Sequence, residues 1–232
     1  MEKLETIWQP HIGLNSFHNL DSLIIRECHK LVTVFPSYMM QILQSLQTLN
    51  IINCELVEII FDFGNIPQTY DRNETNLHSV YIKMLPNLVH VWKDNTRETK
   101  YKNLKRVDVR DNPNLKYLFP LSIVNDLEKL EVLNIWNCGA MKEIVAGDKG
   151  SNENAITFKF PHLDVLLFQQ SPELENFYRG AHTVEWPLLK KLAITNCFKL
   201  EGIRTKIENS QGKSIGLATE KVRNNRAGQR IV

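Results

Sequence analysis

The fold is decided by the fifteen residues LEVLNIWNCGAMKEI, Leu130 to Ile144. Leu130, Leu133, Ile135, Met141 and Ile144 are apolar and Cys138 stands fourth in the series, so the spacings run 3, 2, 3, 3, 3. Leu133-Asn134-Ile135 alternates with period two, which puts both apolar side chains on one face of a short strand and turns Asn134 and Trp136 to the other. The spacings that follow fit neither a longer strand nor a helix.

The same ruler fits six further places. It falls on Leu20, Leu23, Ile25, Cys28, Leu31, Val34; on Leu46, Leu49, Ile51, Cys54, Val57, Ile60; and on Leu77, Val80, Ile82, Leu85, Leu88, Val91. It falls again on Leu104, Val107, Val109, Asn112, Leu115, Leu118; on Leu163, Leu166, Phe168, Ser171, Leu174, Phe177; and on Leu189, Leu192, Ile194, Cys197, Leu200, Ile203. The first leucines lie 26, 31, 27, 26, 33 and 26 residues apart, the period of leucine-rich repeats at roughly 20–29 residues, with two long members. The expected fold is therefore α/β, a leucine-rich repeat solenoid. It is a curved right-handed coil with a parallel concave sheet of about seven short strands and an irregular, short-helical convex side. The repeat domain spans 1–203 and has seven repeats starting near 20, 46, 77, 104, 130, 163 and 189.

Every third repeat is the closest relative: Leu20 to Leu104 and Leu46 to Leu130 are each 84 residues, and Trp8 precedes Leu20 as Trp92 precedes Leu104, by 12. Duplication of a three-repeat block accounts for this. Leu4, Ile7 and Trp8 then match Leu88, Val91 and Trp92, so residues 1–8 read as the back half of a partial repeat and the N-terminal face as uncapped. On the convex side, Phe35 to Leu46 and Phe119 to Leu130 have room for about two helical turns, with Pro36 or Pro120 near the start. Met39, Met40 and Leu43 should point inward like Ile123, Val124 and Leu127. Trp92 to Leu104 lacks a helical stripe and should be turns or extended chain. Asp62 to Asn76 and Ala146 to Thr157 read as long outer loops.

Cys28, Cys54, Cys138 and Cys197 share the fourth ruler position, where Asn112 and Ser171 also stand. A small group there can bond neighbouring backbone, and spacings of 26, 84 and 59 do not suit a zinc site. Four buried thiols are expected, with no disulfide or metal.

The 28 Lys and Arg against 26 Asp and Glu give a formal charge of +2, which argues against a dedicated nucleic-acid binder. Seven of those cations and two acids fall in 204–232, leaving that tail +5 and the preceding body −3; the tail, with no aromatic residue, reads as disordered. Neither a signal peptide nor a membrane span is recognised, so a cytoplasmic or nuclear location is expected. Gly212-Lys213-Ser214 resembles the end of a phosphate loop, but Ile207 stands where its first glycine would be. Asn73-Glu74-Thr75 is a lone glycosylation sequon. No metal motif gathers the histidines and no G-x-S-x-G motif is present. A non-enzymatic chain without cofactors is expected.

The face turned away from the apolar ruler carries Ile24 and Arg26, Asn50 and Ile52, Tyr81 and Lys83, Arg106, Asp108 and Arg110, Asn134 and Trp136, Leu167 and Gln169, and Ala193 and Thr195. Ile24, Arg26, Ile52, Tyr81, Lys83, Arg106, Arg110, Trp136, Leu167 and Gln169 are the candidate partner-binding residues. Aromatic and aliphatic groups interleaved with cations on a rigid surface have the composition of a protein interface.

The stretches Leu20 to Leu31, Leu130 to Cys138 and Met141 to Ile144, with Phe-Pro after the repeat, resemble the C-terminal leucine-rich repeats of plant intracellular nucleotide-binding disease-resistance proteins of the coiled-coil class. That resemblance implies repeats that sense ligands and hold a nucleotide-binding switch inactive in innate immunity. The implied partners are proteins: a pathogen effector, a guarded host protein, or the nucleotide-binding domain of a receptor. The family's ATP/ADP site is absent from this chain, which reads as a truncated or fragmentary member. Substrate-recognition repeats of an F-box ubiquitin ligase are the alternative, as is a free fragment without signalling activity; Met1 to Pro10 is too short for an F-box.

Overall fold

The computed structural model describes residues 4–8, 17–64, 75–93, 101–147 and 155–200, without the side chains of 40–43. The expected tail over 204–232, Gly212-Lys213-Ser214, the Asn73 sequon, and most of both long loops lie outside the described residues.

Seven strands form one sheet in chain order, parallel throughout: Ser22–Arg26, Thr48–Ile52, Ser79–Lys83, Arg106–Arg110, Val132–Trp136, Val165–Gln169 and Lys191–Thr195. Their register is that of the ruler, since Leu23, Leu49, Val80, Val107, Leu133, Leu166 and Leu192 are successive partners. A one-residue slip in any strand would send its apolar set to the outer face. The first leucines from Leu46 to Leu189 are buried; Leu20, just before the first strand, and Leu23 within it are partly buried against the same core. Leu4 and Ile7 also pack on that core, and Trp8 is buried within it.

The convex side carries the expected short helices, a 3-10 turn at Ser37–Gln44 and an α turn at Leu121–Val124. Met39, Ile123, Val124 and Leu127 point inward as expected. Between the helices stand short parallel strands the spacing did not suggest. Thr33–Phe35, Ile59–Asp62 and His90–Lys93 form one ladder, Phe119–Pro120, Glu143–Ala146 and Asn176–Tyr178 a second, and Ile156–Lys159 pairs with His182–Glu185 in a third. Asp62, Ala146, Ile156 and Thr157, at the ends of the expected loops, are thus strand residues. The inner sheet is continuous where the outer ladders are broken, as a coil with a longer outer circumference requires.

Aromatic rings fill the slot that follows the last ruler position. Trp8, Phe35, Phe61, Trp92 and Phe119 stack in succession with centroids 5.6, 5.2, 5.9 and 5.1 Å apart. The Trp8 indole N–H also donates to the Val34 carbonyl.

A tight turn follows every inner strand. Glu27, Asn53, Met84, Asp111, Asn137, Gln170 and Asn196 all have φ between 51° and 58°. Left-handed backbone costs an ordinary L-residue about 1–2 kcal/mol, and Asn and Asp tolerate it best. Four of the seven positions are Asn or Asp; Met84, 43% exposed, bears the penalty with a side chain that is only partly packed. Met84→Asn is therefore expected to raise the urea midpoint at unchanged slope, by about 0.5–1 kcal/mol in stability.

Candidate functional site

The residue after each left-handed turn holds adjacent repeats together. All four cysteines are buried and unbridged. Each thiol donates to the carbonyl two residues earlier: Cys28 to Arg26 at 3.4 Å, Cys54 to Ile52 at 3.4 Å, Cys138 to Trp136 at 3.6 Å and Cys197 to Thr195 at 3.6 Å. Asn112 and Ser171 make the same bond at 2.7 and 3.2 Å. The same side chains accept from the repeat before: the Leu85 N–H donates to Asn112 Oδ1 at 3.1 Å and the Cys138 N–H to Ser171 Oγ at 3.2 Å. The position thus links the strand end to its neighbour.

Burial pushes the Cys138 thiol from an ordinary 9.0 up to about 12, although the Asn112 N–H bonded to its sulfur opposes the shift. Because the folded state keeps this proton while the unfolded state releases it, stability is full below about pH 9 and declines as pH rises towards 12. Cys138→Ser, which installs the hydroxyl that residue 171 already uses, should flatten that decline in alkaline urea titrations; an unchanged slope would contradict the assignment.

The outward face has three rows, read across the strands. Ser22, Thr48, Ser79, Arg106, Val132, Val165 and Lys191 form the first; Ile24, Asn50, Tyr81, Asp108, Asn134, Leu167 and Ala193 the second; Arg26, Ile52, Lys83, Arg110, Trp136, Gln169 and Thr195 the third. All ten candidate partner-binding residues lie on this face. Ile24, Arg26, Lys83 and Arg110 are exposed, Ile24 by 58%. Ile52, Tyr81, Arg106, Trp136, Leu167 and Gln169 are half-buried.

Two neighbours read as outward are covered instead. Asp108 and Asn134 are 8% and 7% exposed. Arg110 folds back on Asp108 with Nε and Nη2 at 2.6 and 2.7 Å from its two carboxylate oxygens, and Asn134 Nδ2 donates to Asp108 Oδ1 at 3.2 Å. Those bonds with Asp108 raise the Arg110 guanidinium further above its ordinary range. Arg110 is therefore already engaged, and the centre of the face is a closed polar cluster. Sequence spacing could assign all three residues to the face, but not the bond that shields one with another.

Among the described residues, no group of three or more His, Cys, Asp and Glu could hold a metal ion, and no helix is long and apolar enough to cross a membrane. His90 meets the Tyr117 hydroxyl at 2.9 Å, and His182 packs among Phe158, Phe177 and Tyr178.

Residues 1–139 match the family described as plant disease resistance protein RPS2-like, leucine-rich repeats. The chain belongs to this family. No curated protein matches it. The RPS2-like match covers the first four repeats and the opening strand of the fifth, and the same inner register continues through the strand Lys191–Thr195 beyond it. Such repeats form a recognition module of plant disease resistance, and the module is generally non-enzymatic.

Outward Tyr81 and Trp136 do not belong to the buried core. Tyr81→Ala and Trp136→Ala should leave the circular dichroism melt within about 0.5 kcal/mol of the parent, as for surface positions; a large loss would mean these side chains support the sheet.

Proposed function

We propose that this chain is the ligand-sensing and autoinhibitory repeat module of a plant innate-immune receptor, binding protein through the concave face. The observation that carries the reading is the pairing of the family match with an outward face that holds Tyr81, Trp136, Ile24 and Ile52 between cations. Aromatic groups supply large contact area at low entropic cost, and rigid strands keep that area preorganised. The inner face of the same strands is filled by the ruler, leaving the outer face free for contact.

The partner in this reading is a pathogen effector, a guarded host protein or the nucleotide-binding domain of a receptor, met in the cytoplasm or nucleus. Recognition requires no cofactor: the work is desolvation of apolar side chains and pairing of charges. Holding a switch inactive is the same chemistry in which the partner is the receptor's own domain and release follows competition for the face.

Co-purification from plant tissue tests this. The parent chain should retain a nucleotide-binding receptor or an effector, the Tyr81→Ala/Trp136→Ala chain should lose it, and Lys159→Glu on the outer ladder should keep it. Recovery of a Skp1-type adaptor instead would favour the ubiquitin-ligase reading, and equal recovery with all three chains would remove the concave face from the account.

A further inference from the structure

The charge on the outward face is lopsided. Its seven strands carry Arg26, Lys83, Arg106, Arg110 and Lys191 against Asp108 alone, whereas the body over 1–203 is net −3. Asp108 is neutralised by Arg110. Among the described residues no ion pair or hydrogen bond engages the side chains of Arg26, Lys83, Arg106 or Lys191. At the rim, Glu131 and Asp164 are paired with Lys105 and Lys190 at 3.4 and 3.2 Å, and Asp111 accepts from Asn137 at 2.8 Å.

Two of the open cations frame one aromatic ring. Lys83 and Tyr81 alternate outward on the third strand, and Arg106 lies on the fourth, four residues back from Lys83 in register. At about 3.3 Å per residue and about 4.8 Å between strands, Lys83 and Arg106 are set about 14 Å apart. An extended peptide spans nearly the same distance between residues i and i+4, with the side chain of i+2 facing the same way. We infer that the third and fourth strands receive an extended acidic segment of a protein partner, with carboxylates at i and i+4 on Lys83 and Arg106 and an apolar side chain at i+2 on Tyr81. Ile52 beside Lys83 and Val132 beside Arg106 add aliphatic contact of the kind a peptide side chain uses, and Tyr81 is a single ring between the two cations rather than a row on which successive bases stack, which favours a peptide over a nucleic acid. The inference rests on concave-face recognition and names its chemistry.

The test uses the full chain and fluorescence anisotropy with defined probes. These are a peptide with glutamates four residues apart around a central leucine, the same peptide with lysines in place of the glutamates, and an oligothymidylate. The glutamate peptide should bind, weaken as salt rises, and lose about tenfold or more in affinity with Lys83→Glu/Arg106→Glu. Lys116→Glu/Lys159→Glu, away from the face, should leave it unchanged, and the lysine peptide should not bind. Loss with Tyr81→Ala but not with the charge reversal would overturn the acidic segment and leave concave recognition standing. Indifference to both variants, or no binding of the glutamate peptide by a chain whose tissue partner also ignores Tyr81→Ala/Trp136→Ala, would overturn both. Failure of the glutamate peptide alone, or tighter binding of oligothymidylate, would overturn the acidic-segment assignment.

Discussion

Every inner strand leaves half its backbone groups facing the next repeat, and nothing within one repeat can satisfy them. The Glu27 N–H reaches the Ile52 carbonyl at 3.1 Å, Asn53 reaches Lys83 at 3.0 Å, and the series continues to Gln170 on Thr195 at 2.8 Å. At the entry to each strand the direction reverses: Gln47 and Thr48 both donate to Asp21, and Lys190 and Lys191 both donate to Asp164. A buried unpaired amide costs about 1–3 kcal/mol, so a repeat is stable only between neighbours. The left-handed turn is what aims its own N–H at the next strand. Its backbone strain is accepted at Glu27, Asn53, Met84, Asp111, Asn137 and Gln170 because each of those six turns completes that ladder.

Fixing the backbone in this way frees the outward rows. An inward position must be apolar and of a set size, whereas an outward one must only avoid disturbing the pleat. The outward series accordingly runs from Ile24 through Asp108 to Ala193 with no shared chemistry. Only where Asp108, Arg110 and Asn134 bond to one another does the face satisfy itself. The open cations and aromatic groups to either side are held on strands but not consumed by them, which is the condition for binding without first breaking an internal contact.

The inner strands were legible because period two is unforgiving: a wrong register would have exposed Leu133 or Val107. The fourth position was legible because Asn112 and Ser171 share one capability with cysteine, a small polar group within reach of backbone. The turn row was harder. Asn53, Asp111, Asn137 and Asn196 suggest left-handed backbone, but Glu27, Met84 and Gln170 interrupt the pattern with residues that merely tolerate it. The outer ladders were not legible, since a three-residue strand such as Thr33–Phe35 is too short to display alternation. On the face itself, placement could be read, but the closing of Arg110 on Asp108 depends on how a long side chain folds between neighbours.

The aromatic row shows how far such local coupling extends. The stack from Trp8 ends at Phe119; its next register partner is Val145, and Tyr178 follows. Tyr178 belongs to a separate group with Phe158 and His182, at 5.5 and 5.7 Å. Along this row the two groups are therefore joined through one buried aliphatic side chain, whose burial is worth about 1.5–3 kcal/mol. Tyr81 and Lys83 stand over the first group, and Leu167 and Gln169 over the second, with Trp136 on the repeat that contains Val145. A ligand spanning the whole face would bridge that junction and stabilise the register on which its own site depends, which is how a one-dimensional array can couple binding to the order of its repeats.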